Sequence, residues 1–192
     1  MKDTEHIRLF GMSLQQIEKE LDIVEKQAAV DLQRRSSSDD KDDEFYPQFK
    51  ETFRREAAAM SRHYEIFYCL ERSIRDLISE KLLAEKGPNW WDTAVPDPVR
   101  AEVEKNIKRE RESGVTARSL DKIDYATFGE LGDVVRANWE IFIDTFNNEK
   151  AFNRVMHNLN LLRGPIAHCC PLAEDEVVRL RLTIGDWFRL MS

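Results

Sequence analysis

Glycine and proline are scarce, seven and six in 192 residues, and they gather at a few places. The long intervals between them suit helices, and no Walker motif or glycine-rich phosphate loop occurs, which argues against ATP hydrolysis. There are three cysteines, Cys69, Cys169 and Cys170. An odd count with two of them adjacent makes no disulfide framework and suits a reducing, cytoplasmic setting. His168-Cys169-Cys170 lacks the two-residue spacing of zinc ligands and has no second ligand pair, so neither a metal nor a cofactor is expected. No run approaches the roughly 18 apolar residues that span a bilayer, and the polar start MKDTEHIRLF is no signal peptide, so no membrane association is expected. Excess positive charge is missing too. At a net charge of −7, any nucleic-acid site must be a local patch. Alternating apolar and polar residues, the mark of a half-buried strand, appear nowhere, which leaves an all-α chain.

What is present is helical periodicity. Ile7, Phe10, Leu14, Ile17, Leu21, Val24 and Ala28 recur at steps of three and four, predicting an amphipathic helix within residues 1–35. The segment RRSSSDDKDDEFYPQF has no period and reads as a solvated linker, 36–49. The helical domain is expected over 50–192. Its first helix carries Phe67, Leu70, Ile74, Leu77 and Leu82, widened by Tyr64 and Ile78, with Glu71, Arg72, Arg75 and Asp76 assigned to the opposite face; Gly87-Pro88 stops it. Trp90 and Trp91 anchor an irregular stretch, and Pro98 can open the next helix. That helix carries a thin stripe of Val99, Val103 and Ile107. Residues 100–122 hold seven Lys or Arg against five acids, so Lys105, Lys108 and Arg109 are candidate RNA contacts on an otherwise ordinary exposed helix. Asp124 or Thr127 can cap a short helix, Phe152, Val155, Leu159 and Leu162 mark another, and a last one follows Pro171 with Val177, Leu180, Ile184, Trp187 and Met191 as its buried stripe.

LNLLRGPIAHCC, residues 159–170, carries the chemistry. Arg163 lies four residues after Leu159, at the edge of the buried stripe. Gly164-Pro165 is expected to end or kink the helix there. On a straight helix, side chains five residues apart diverge by about 140°; a break would let His168 swing back toward Arg163. A guanidinium can grip non-bridging phosphate oxygens, and an imidazole can exchange a proton with a ribose 2′-hydroxyl or a leaving oxygen. On residue types alone, an arginine and a histidine at a helix end more often cap carbonyls or bind a carboxylate than catalyse. Arg154 and His157, on one face near the motif, could extend an anion-binding surface.

The arginine-to-histidine stretch resembles the signature of the HEPN superfamily (higher eukaryotes and prokaryotes nucleotide-binding domains). The blocks FYCLERSIRDLI, DYATFGELGDVV, NWEIFIDTF and LAEDEVVRL follow in the order of one branch, found in bacterial proteins and at the C-terminus of an RNA-quality-control endoribonuclease. The resemblance covers about residues 60–190. It implies a four- to five-helix bundle, preceded here by the extra amphipathic helix, and a homodimer whose two motifs share a cleft. It also implies metal-independent endoribonuclease activity in toxin-antitoxin, phage-defence or RNA-processing systems, with RNA and a cognate antitoxin or other protein as partners. In that frame Arg163 holds phosphate and His168 is the general acid or base. The family's pattern usually sets a polar residue, often Asn, after the arginine. Gly164 stands there instead, and Asn160, one turn earlier, is the candidate substitute. The alternative is a non-catalytic HEPN module for dimerisation or docking.

Overall fold

The computed structural model describes residues 46–191 together with Leu21; the expected helix within 1–35 and most of the 36–49 linker lie outside the described residues. The chain divides into two units, Met1–Phe49 and Lys50–Ser192. In the first, Tyr46–Gln48 forms a 3₁₀ turn where only linker was expected, and the Tyr46 and Phe49 rings meet edge to face at 6.5 Å.

The second unit is helical throughout, with no strand among the described residues. Its elements are α1 (Glu51–Lys86), α2 (Trp90–Ala94), α3 (Asp97–Glu112), a 3₁₀ turn (Lys122–Tyr125), α4 (Phe128–Ala137), α5 (Trp139–Phe142), α6 (Glu149–Ala167) and α7 (Glu174–Leu190). α2 and α5 are single short turns of helix, which leaves five helices of ten residues or more. α1 is the central mast: α2, α4, α5 and α6 pack on it, while α6 also packs on α4 and α7. Phe67, Leu70, Ile74, Ile78 and Leu82 are its buried stripe, and Gly87 ends it at φ 74°, a conformation that glycine adopts at little cost. Thr127 caps α4 in a reciprocal capping box with Glu130. Asn148 caps α6 by accepting from the Ala151 amide at 2.9 Å. An aromatic cluster fills one end of the core, with Phe146 centred 4.8 Å from Phe152 and 5.3 Å from Trp187.

Several side chains differ from expectation. Arg75 is buried rather than solvated, whereas Tyr64 is 59% exposed and does not widen the core stripe. Met191 is exposed, and Thr183 and Leu190 take the buried places on α7. The helix that was to end or kink at Gly164-Pro165 instead continues to Ala167. Proline here forfeits only its own amide, because the turn after it closes by other bonds. The His168 amide donates to the Gly164 carbonyl at 3.0 Å, and the Cys170 amide reaches back to the Pro165 carbonyl at 2.9 Å.

That closure sets Cys169 at φ 57°, in the left-handed region, at the position after the helix cap where glycine is usual. Replacing Cys169 with glycine is expected to stabilise the fold by about 1 kcal/mol, raising the thermal midpoint by roughly 2–4 °C. Cys169→Ala should bring no gain. Calorimetry of the two variants checks this, and equal midpoints would remove the strain argument.

Candidate functional site

Arg163 meets α1 through an ion pair. Its Nε donates to Glu71 Oε2 at 2.9 Å, and the other oxygen of Glu71 accepts from Arg75 Nη2 at 2.5 Å. Arg75 is tied in turn to the turn before α4, donating to the carbonyl of Ile123 and, at 2.9 Å, to that of Ala126. A connected row of groups, α4 turn to Arg75 to Glu71 to Arg163, therefore holds the motif arginine in place. Because Nε is the atom engaged, the edge formed by the two terminal amines is left without a protein hydrogen bond among the described residues. That edge is the one suited to a two-pronged grip on phosphate.

Arg163 lines a cavity of about 320 Å³ between α1 and the end of α6. Four guanidinium groups line it (Arg72, Arg75, Arg118, Arg163) against two carboxylates, Glu71 and Asp124; Tyr64, Phe67 and Tyr68 supply aromatic wall. With Glu110, which pairs with Arg118 at 2.6 Å, four cations face three carboxylates, a small positive excess in a chain of net charge −7.

Arg118 reaches the cavity from the loop after α3, where Glu110 clamps it. The Arg118 amide donates to Glu110 Oε1 at 2.7 Å and its Nε to Oε2 at 2.6 Å, with the Tyr125 hydroxyl 3.0 Å from Oε1. The guanidinium lies 4.8 Å from the centre of the Tyr125 ring. The backbone amide of Arg118 above all, then its guanidinium and the Tyr125 hydroxyl, holds the Glu110 carboxyl below its usual range. Burial, reinforced by Glu110, pushes the Tyr125 hydroxyl up. A depressed carboxyl stabilises the clamp at pH above its unfolded value of about 4.3, and the contribution is lost as pH falls through the lower folded value. The Arg118 amide resonance is therefore expected to titrate with a midpoint below that of an ordinary glutamate, and to stop titrating in Glu110→Gln. A midpoint at or above the ordinary value would contradict the clamp.

His168 caps α6 with its backbone, its side chain is exposed, and it does not line the cavity. Since α6 does not break, the structure gives no inward swing of His168 toward Arg163 within one chain. Asn160 is exposed, with its amide against Gly129 at the start of α4. Arg154 and His157 are exposed on α6. Lys105 pairs with Glu102 at 3.1 Å, Lys108 with Glu112 at 3.8 Å, and Arg109 donates to Asn106 at 2.8 Å. These three basic groups, exposed and engaged on their own helix, lie outside the cavity. Among the described residues no cluster of three or more His, Cys, Asp or Glu is placed to hold a metal, and no helix is long and apolar enough to cross a membrane.

Glu71, Arg75, Tyr64, Tyr68 and Arg118 were not anticipated as site residues. For two of them a signal existed: Phe67, Glu71, Arg75, Ile78 and Leu82 follow at steps of four, four, three and four, so both charges fall within the buried arc.

No curated protein and no solved structure matches the chain. A family model described as Swt1-like HEPN matches residues 65–192, from the middle of α1 to the C-terminus. The match takes in every residue lining the cavity except Tyr64 and carries both Arg163 and His168, and the chain belongs to the Swt1-like HEPN family.

Proposed function

We propose that the chain is a metal-independent endoribonuclease of HEPN type, acting in an RNA-processing, phage-defence or toxin-antitoxin system. The observation that carries this is the Arg163 guanidinium: Glu71 fixes it through Nε, its terminal amines have no protein hydrogen bond among the described residues, and the residue lines an arginine-rich cavity. In the reaction the ribose 2′-oxygen attacks the adjacent phosphorus, its proton passing to a base. The bond to the 5′-oxygen breaks as that oxygen receives a proton from an acid, leaving a 2′,3′-cyclic phosphate and a 5′-hydroxyl. Arg163 neutralises the charge that builds on the non-bridging oxygens, and His168 transfers protons.

One histidine outside the cavity is a thin site for two proton transfers. Two copies about a twofold axis would supply a base and an acid, and this favours a homodimer with both motifs in one cleft. Leu161 and Leu182, both 61% exposed, line one groove between α6 and α7 near the motif together with Asn158, Glu176 and Arg179, a mixed surface with two exposed leucines that such an interface could bury. Asn160 stays the candidate stand-in for the polar residue that Gly164 lacks.

A docking or dimerisation module is the second reading. It is favoured by the Glu71 ion pair, which already gives Arg163 a structural partner, and by the missing side chain at Gly164. Incubating the full-length protein with a mixed RNA pool in chelator, beside His168→Ala, separates the two. Cleavage by the wild type alone supports the nuclease; no cleavage by either supports the module.

A further inference from the structure

Tyr64, Tyr68 and Arg72 follow one another at steps of four along α1 and line the cavity beside Arg163. The two tyrosine rings lie 6.2 Å apart, tilted by 35°, and the residues are 59% and 57% exposed. They contribute little to the core, so their position has no packing explanation within the described bundle. Exposed rings next to an excess of guanidinium charge suit a ligand that has both a flat apolar face and an anionic group. At about 320 Å³ the space lies near the lower end of small-ligand sites, enough for one nucleotide and too small for a helix.

We propose that this cavity is a nucleotide subsite for unpaired RNA, in which Tyr64 and Tyr68 stack a splayed base while Arg163, with Arg72 at the rim, holds its phosphate. The proposal rests on the assignment of Arg163 as a phosphate-binding group. A base inside an A-form duplex cannot reach the rings, so the substrate is single-stranded at this position. Stacking accepts any base face, which makes the subsite tolerant of sequence.

The test is fluorescence anisotropy with full-length protein carrying His168→Ala, so that binding is read without cutting. The probes are labelled single-stranded RNA decamers, oligo-A and oligo-U, and a duplex of the same length. Single strands are expected to bind more tightly than duplex. Tyr64→Ala with Tyr68→Ala should weaken that binding about 10-fold or more, while the paired phenylalanine substitutions keep the rings and the affinity. Arg163→Ala should weaken binding of both decamers alike. Unchanged affinity in the double alanine variant, or duplex bound as tightly as single strand, would overturn the subsite. So would loss of self-association by light scattering in the alanine variant, since the rings would then face a second copy. Binding and cleavage fail separately here: a stacking loss in a protein that cuts nothing sustains the subsite and removes the nuclease, whereas cutting that ignores both rings does the reverse.

Discussion

His168→Ala is expected to lower the rate of RNA cleavage by about 10²- to 10⁴-fold while leaving the fold intact. The size follows from the loss of a positioned proton-transfer group. The intact fold follows from the structure, because the His168 side chain is exposed and only its backbone closes α6. Arg163→Lys should fail as well. Lysine keeps a positive charge but loses the planar fork, so it cannot hold Glu71 with one edge and phosphate with the other. DNA should resist cleavage, having no 2′-hydroxyl to act as the nucleophile. Gly164→Asn puts a polar side chain after the arginine, and its Cβ would meet nothing within 4 Å. Higher activity in that variant would show that the glycine weakens the site.

The largest effect on stability is expected at Arg75. Its side chain is 9% exposed and bonds to Glu71 and to two backbone carbonyls. Arg75→Ala takes the side-chain donor from both carbonyls, of which Ile123 keeps the Ala126 amide at 3.1 Å, and removes one of the two cations that compensate the Glu71 carboxylate, itself only 17% exposed. Arg163 still faces Glu71, so the loss is that of buried acceptors deprived of a charged donor, about 1–3 kcal/mol. By contrast, Arg72 pairs with Asp124 at 3.1 Å with its side chain 48% exposed, and Arg72→Ala should cost less than about 1 kcal/mol. Urea unfolding of the two variants measures the difference. Similar midpoints would mean that the Arg75–Glu71 row does not brace the site.

Much of the fold was legible because burial leaves a periodic trace. Ile74, Ile78, Leu82, Val103 and Leu159 recur at helical spacing and are all buried. The stops at Gly87 and before α7 were visible for the same kind of reason, since the residues there either adopt or forbid particular backbone angles. Of the residues around the cavity, only Arg163 stood out as part of a pattern in one segment, and His168, read together with it, lies outside the cavity. The rest of the site was not legible, because it is made by contact between segments far apart in the chain. Glu71 reaches Arg163 across 92 positions, and Arg75 reaches the carbonyls of Ile123 and Ala126 across 48 and 51. A charged residue on a helix is by default a solvated one, and only the packing of α6 and the α4 turn onto α1 shows that these two are not. Gly164-Pro165 misled in the opposite sense. The local rule against proline in a helix is outweighed here by the backbone bonds of residues 168 and 170, so α6 runs on and His168 leaves the cavity side of Arg163.

The central claim, that Arg163 and His168 cut RNA through its own 2′-hydroxyl, is tested most directly by the ends of the products. Full-length protein and its His168→Ala variant would digest one single-stranded RNA in the presence of chelator, and the fragments would be analysed by mass. The expected result is 2′,3′-cyclic phosphate (or the monophosphate from its hydrolysis) facing 5′-hydroxyl, from the wild type only. Fragments ending in 3′-hydroxyl and 5′-phosphate, or the same fragments from both proteins, would contradict it.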